Sequence, residues 1–289
     1  MERVKRVLKQ LKANIEKPEM GVLPGELAFY FLLMMIPILA VVVAVLQQFD
    51  LTGSVSIILH ETLPNIIADF IVELSNEKVG TVSFIALLIS ALIISSNGTY
   101  SMIKASNTVY GVKDSRMLIN RIKSLIMVLI LILTFVVIFA LPVFGDYIVS
   151  IFEQIKISGF PAIKIISTLK YPITFVLIYL FIKILYTIAP NVKIGLNKTS
   201  KGALFTTVMW ILATLLYSLY IEKVFSYESV YGGLSSILCL LIWLSIISYI
   251  FVLGMVINAS YYSVDVEEKN YIESGLNKTH KVVKKIRRR

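Results

Sequence analysis

The chain has 289 residues, 57% of them hydrophobic and 16% charged, with a mean hydropathy of +0.82. Soluble domains average about 45–50% apolar and about 25% charged, so this balance excludes a disordered chain and argues against an ordinary soluble enzyme. The single cysteine, Cys239, excludes an intramolecular disulfide framework, and the formal charge of +10 leaves nucleic acid, an anionic lipid surface or an orientation signal to explain it.

In chain order, residues 1–24 form a basic arm. Val4, Val7, Leu8, Leu11 and Ile15 recur at helical spacing among Arg3, Lys5, Arg6, Lys9 and Lys12, the pattern of an amphipathic helix lying on an anionic leaflet. A hydrocarbon core about 30 Å thick takes about 20 apolar residues to cross. The first such run is Leu27–Leu46, with Pro37 at its middle. It is too long for a cleaved signal segment, and Gln47-Gln48-Phe49-Asp50 after it offers no small-x-small cleavage site. It reads as a retained span. Beyond it, Ile66, Ile67, Phe70, Ile71 and Leu74 share one face of a helix opened by Pro64.

Further spans are predicted over Thr81–Ile103, Leu125–Phe144, Tyr171–Ala189, Ala203–Ile221 and Leu234–Tyr262. A second interfacial stripe, Tyr147, Ile148, Ile151, Phe152 and Ile155, follows the third span. None of the spans alternates with the period of two that a β-barrel needs. The expected fold is therefore all-α: a polytopic six-transmembrane-helix bundle over residues 25–262, with interfacial amphipathic helices and a basic tail at 263–289.

Orientation follows from the basic residues. Of 28 Lys and Arg, 22 fall in the arm, the connections after spans two and four, and the tail; 5 fall in the alternate connections, and Lys183 lies inside span four. The positive-inside rule then places both termini in the cytoplasm. The tail lacks the interleaved aromatics of a nucleic-acid surface, so acidic phospholipid rather than nucleic acid is the partner expected for the basic termini.

No cofactor or metal is expected. His60 and His280 fall on opposite sides of the membrane in this topology, His60-Glu61 lacks the second histidine of a zinc helix, and no phosphate loop or nucleophile elbow occurs. The polar residues within the spans are more informative, because burying a polar group costs roughly 2–7 kcal/mol unless it meets protein or water. Glu26, Asn97, Lys104, Asn107, Lys183 and Asn258 all fall in the cytoplasmic half, whereas the outer half offers little beyond Tyr220 and Glu222. Two readings stand side by side. These groups hydrogen-bond between helices and snorkel, or they line a polar vestibule open to the cytoplasm that takes a charged or zwitterionic amphiphilic substrate.

The order of motifs carries a resemblance. Leu27-Ala28-Phe29-Tyr30 through Ile36-Pro37 opens span one, and an inner loop reads Ala105-Ser106-Asn107-Thr108-Val109-Tyr110-Gly111. Span four ends Tyr186-Thr187-Ile188-Ala189-Pro190-Asn191, and span five opens Lys201-Gly202-Ala203-Leu204. Tyr220, Tyr231-Gly232, Trp243 and Gly254-Met255-Val256-Ile257-Asn258-Ala259 follow. Over residues 20–262 the chain resembles the YihY/BrkB family of bacterial inner-membrane proteins, once labelled ribonuclease BN. The resemblance implies six helices in the inner membrane, no ribonuclease activity, and a link to envelope properties and to lipid or lipopolysaccharide export.

The chain departs from that pattern twice. Val256 stands where the family commonly has Glu, and Thr187 where it commonly has a basic residue. Lys183, one helical turn from Thr187, is the expected source of the missing charge. The function expected is a transporter or flippase of an amphiphilic envelope component. A non-transporting scaffold or regulator of envelope assembly is the alternative, and an intramembrane enzyme is disfavoured for want of a nucleophile or metal set.

Overall fold

The computed structural model describes residues 2–47, 81–112, 116–154, 162–224 and 233–286. Helices fill nearly all of them: α1 (Glu2–Ile15), α2 (Leu23–Gln47), α3 (Thr81–Tyr110), α4 (Met117–Gln154), α5 (Ala162–Ile188), α6 (Ser200–Val224) and α7 (Gly233–Ile286). Short 3-10 turns, Pro18–Gly21 and Leu196–Thr199, lead into α2 and α6, and no strand occurs among the described residues.

Among the described residues, five stretches are long and apolar enough to cross a membrane: Pro18–Val42, Ile85–Tyr110, Met117–Val137, Leu196–Tyr220 and Leu238–Tyr271. The fourth expected span corresponds to a shorter apolar stretch, Pro172–Ile188. Apolar side chains point outward as readily as inward. Leu118 is 80% exposed and Leu216 67% exposed, while Leu27 and Phe251 are wholly buried. Lipid explains this pattern, since hydrocarbon solvates a leucine as well as a protein core does.

Several expected boundaries move. The Ala105–Gly111 motif, read as an inner loop, is helical as far as Tyr110. The helix ends there because Gly111 takes a φ of 67°, with its N–H bonded to the Thr108 carbonyl and that of Val112 to the Asn107 carbonyl. This pair of bonds satisfies two terminal carbonyls and needs a residue without a Cβ at the turn. Lys104, Asn107, Arg121 and Lys123 consequently sit on helices rather than in a loop. The stripe at Tyr147, Ile148, Ile151 and Phe152 continues α4, and the sixth span runs into the tail as one helix, α7. The amphipathic stretch opened by Pro64, together with His60, Tyr231 and Ile155, lies outside the described residues.

Each of α2 to α7 packs on its neighbours in sequence, and α7 closes the bundle against α2 and α3 while α1 lies along α7. Small residues set the approach of α2 and α3. Ala91, Gly98 and Ala105 recur every seven residues on the buried face of α3, and a Cβ on Gly98 would lie 2.6 Å from Met34 Sδ. Without water to drive association, such close backbone contact is a main source of helix pairing in lipid. Phe251 of α7 is the hub of the core. Its ring meets Phe31 of α2 at 6.0 Å, Tyr186 of α5 at 4.9 Å and Trp210 of α6 at 5.9 Å.

Candidate functional site

At the C-terminal end of α5 the chain turns through Ala189, Pro190 and Asn191, and three side chains fasten the turn. Asn107 of α3 accepts the Asn191 backbone N–H at 2.8 Å. Asn191 Nδ2 donates to Asn120 Oδ1 of α4 at 2.9 Å. Lys123, one turn beyond Asn120, donates to Asn191 Oδ1 at 2.8 Å and to the Pro190 carbonyl at 3.1 Å. Pro190 ends α5 naturally, and the amide groups absorb the polar backbone it leaves behind.

Beside this knot opens a cleft of about 550 Å³, lined by Lys123, Thr187, Ile188, Pro190, Val192, Lys193, Ile194 and Gly195. Among the described residues, two lysines and no carboxylate face it. Both acceptors of the half-buried Lys123 ammonium are neutral, so no charge among the described residues formally cancels it. A low-dielectric wall makes such a charge more effective toward an incoming anion than it would be in water. The cleft is therefore suited to an anionic group such as phosphate or carboxylate.

A second polar seam joins α5, α6 and α7. The buried Tyr186 hydroxyl donates to the Phe251 carbonyl at 2.7 Å, so the Thr206 hydroxyl, also at 2.7 Å, donates to Tyr186. Asn258 Oδ1 accepts the Gly202 N–H at 2.8 Å. Gly202 and Gly254 allow the crossing, since a Cβ on Gly202 would lie 2.5 Å from Asn258 Nδ2. Asn107 Nδ2, Asn258 Nδ2, Ser106 Oγ and the Tyr110 hydroxyl are buried with no protein partner among the described residues. Tyr110 of α3 and Tyr262 of α7 stack edge to face at 5.7 Å. Buried donors of this kind are stable only where water or a polar ligand reaches them.

The six residues expected to share one vestibule fall into separate groups, and none of them lines the cleft. Glu26 opens α2 and accepts from Ser101 Oγ of α3 at 3.0 Å. Asn97 and Lys104 stand on the exposed face of α3. Asn107 is in the knot, and Asn258 is in the α6–α7 seam. Lys183 is half-buried on α5 with its ammonium 5.5 Å from the Tyr179 ring centroid, one turn back along the helix. That placement corrects the expectation that Lys183 supplies charge at Thr187. Helical side chains lean toward the N-terminus, so Lys183 points away from the following turn. Lys123 and Lys193 are the cations that line the same cleft as Thr187. Val256 is wholly buried in the core. In the sequence, Lys123, Arg121 and Lys193 stand out only as topology signals. Asn120 and Lys123 stand three apart, on one face of α4, which was the available sign that they act together.

A family model described as Virulence factor BrkB matches residues 13–275. The chain is 28% identical over 253 residues to the "Putative ribonuclease-like protein YfkH" of Bacillus subtilis, covering 81% of this chain and 87% of that protein. It is 29% identical over 268 residues to the "UPF0761 membrane protein VP0125" of Vibrio parahaemolyticus, covering 87% of this chain and 81% of that one. No solved structure matches with significance.

Proposed function

The chain belongs to the BrkB family and is an integral, multi-pass membrane protein; on that premise we propose that it moves an anionic, lipid-like envelope component as a transporter or flippase. In this proposal it sits in the bacterial inner membrane with both termini in the cytoplasm, and the knot and cleft face the cytoplasmic leaflet. The basic arm and tail rest on acidic phospholipid. The 22-to-5 distribution of Lys and Arg supports that orientation.

One observation carries the reading: a cleft of about 550 Å³ bears Lys123 and Lys193 with no carboxylate among its described lining residues. A headgroup phosphate would enter there while the acyl chains stay in the bilayer. The unpartnered donors Asn107 Nδ2, Asn258 Nδ2 and the Tyr110 hydroxyl support a hydrated path deeper in the bundle. Glu26, Asn97, Lys104 and Lys183 are assigned to the approaches of that path rather than to its mouth. No catalytic step belongs to the proposal, and the ribonuclease-like name remains that of the relative bearing it.

A scaffold or regulator of envelope assembly is the second reading, favoured by the backbone N–H groups that Asn107 and Asn258 accept, which are packing bonds. Reconstitution separates the two. Headgroup-labelled anionic lipid crosses protein-containing vesicles faster than protein-free ones if the chain transports, and at the same rate if it is a scaffold.

A further inference from the structure

A second cationic cluster lies on the outward face of α3 and α4, and none of its residues lines the cleft. Asn97, Tyr100 and Lys104 stand at i, i+3 and i+7, on one face of α3. From α4, Arg121 lays its guanidinium over Tyr100, with Cζ 4.6 Å from the ring centroid, and donates from Nη1 to Asn97 Oδ1 at 2.9 Å. The Lys104 ammonium is 5.3 Å from the same centroid. Two like charges thus share one ring, and neither meets a carboxylate among the described residues. One guanidinium N–H is used by Asn97; the others remain to bind an anion.

We propose that this cluster binds the headgroup phosphate of an anionic phospholipid, approached laterally from the bilayer. The stacked, hydrogen-bonded Arg121 is already held in one orientation, so little conformational entropy is lost when a phosphate docks in bidentate fashion. An apolar lane continues from the cluster. Ile93 lies one turn before Asn97 on α3, and Leu125 lies one turn after Arg121 on the antiparallel α4, so both extend the site in the same direction. Ile93, Ile94, Ile122, Leu125 and Leu129 are all exposed. A dissolved phosphate has no use for this lane, whereas two acyl chains fill it. The second cation also selects among lipids, because a choline headgroup brings its own positive charge beside Lys104 while a glycerol headgroup does not. The site shares Asn97 and Lys104 with the approach assigned above to the transport path, yet it holds a lipid whether or not the chain moves one.

The test uses the full chain in vesicles with phosphatidylglycerol carrying a photoreactive acyl chain, the crosslinked peptides being mapped by mass. Crosslinks are expected in segments 93–104 and 121–129, and the Arg121→Gln/Lys104→Gln pair is expected to lower their yield about tenfold, the scale of a lost charge-assisted contact. Lys104→Gln alone, at an exposed position that leaves Arg121 and Asn97 paired, lowers the yield in the same direction and guards against misfolding of the double variant. An equal yield from a phosphatidylcholine probe, or an unchanged yield in both variants, overturns the site. Suppression of crosslinking by excess inorganic phosphate overturns the assignment to lipid.

Discussion

The Tyr186 hydroxyl occupies the space in which a side chain at Gly254 would begin. A Cβ built at position 254 collides with that oxygen and with Thr206 Oγ1, both of which are already committed to hydrogen bonds. Helices α5, α6 and α7 therefore meet at a point where one backbone must be bare. Gly254→Ala is expected to destabilise the protein by about 1–3 kcal/mol, the range for overpacking a filled core. Thermal unfolding in detergent checks this against Gly25→Ala in α2, where nothing lies within 4 Å of an added Cβ. Equal shifts in the two variants would show that close packing is not what position 254 needs.

Asn191 ties α3 and α4 to the turn after α5. Asn191→Ala removes one acceptor of Lys123 and one donor to Asn120, and is expected to cost about 1–2 kcal/mol, the scale of two lost hydrogen bonds. Asn191→Asp keeps an acceptor for Lys123 but adds a negative charge at the edge of the cleft. The fold should survive that change better than the alanine variant does, while capture of an anionic headgroup weakens. A thermal-shift series alongside a lipid-binding titration distinguishes the two effects.

Much of the fold is legible in the sequence because lipid imposes one strong rule: a spanning segment satisfies its own backbone, so length and hydropathy locate helices. Ala203–Ile221 and Leu234–Tyr262 are located that way, whereas Tyr171–Ala189 matches only a shorter apolar stretch. Helix ends are less legible, since Gly111 marks the end of α3 by its backbone conformation, and the apolar count gives no hint that Lys104 and Asn107 are still helical. The site is less legible again. Lys183, Asn107 and Asn258 stand out in sequence as polar residues among apolar ones, yet the cleft is built by Lys123 and Lys193, which look like ordinary loop charges. Only tertiary contact brings Lys123 to Pro190, across a sequence separation of 67 residues.

Helix α1 is held to α7 by charge. Asp265 receives both Arg3 and Lys198, Arg6 pairs with Glu268 at 2.6 Å, and buried Asn14 donates to Ser260 Oγ at 3.2 Å. Exposed pairs contribute about 0–1 kcal/mol each and are screened by salt. Asp265→Asn should leave global unfolding nearly unchanged but release α1. A cysteine at the buried position Val7, in a Cys239→Ser background, should then react faster with a thiol reagent, and faster still at high salt. No change in reactivity would mean that packing rather than charge seats α1.

Orientation has a direct readout. In the same Cys239→Ser background, cysteines at Lys193 and Leu118, both exposed, should label with an impermeant thiol reagent only from the cytoplasmic side. Labelling from the outside would invert the topology and move the cleft to the other leaflet.

In the proposed function, an anionic headgroup uses the Lys123–Lys193 cleft to cross the membrane. The most direct measurement of this is the rate at which headgroup-labelled phosphatidylglycerol changes leaflet in vesicles holding the wild-type chain or Lys193→Gln, with phosphatidylcholine as the comparison lipid. Movement above that of protein-free vesicles is expected, faster for the anionic lipid and several-fold slower in Lys193→Gln, a loss of about 1 kcal/mol from one exposed charge. Movement no faster than in protein-free vesicles, or a rate indifferent both to headgroup charge and to Lys193, would contradict it.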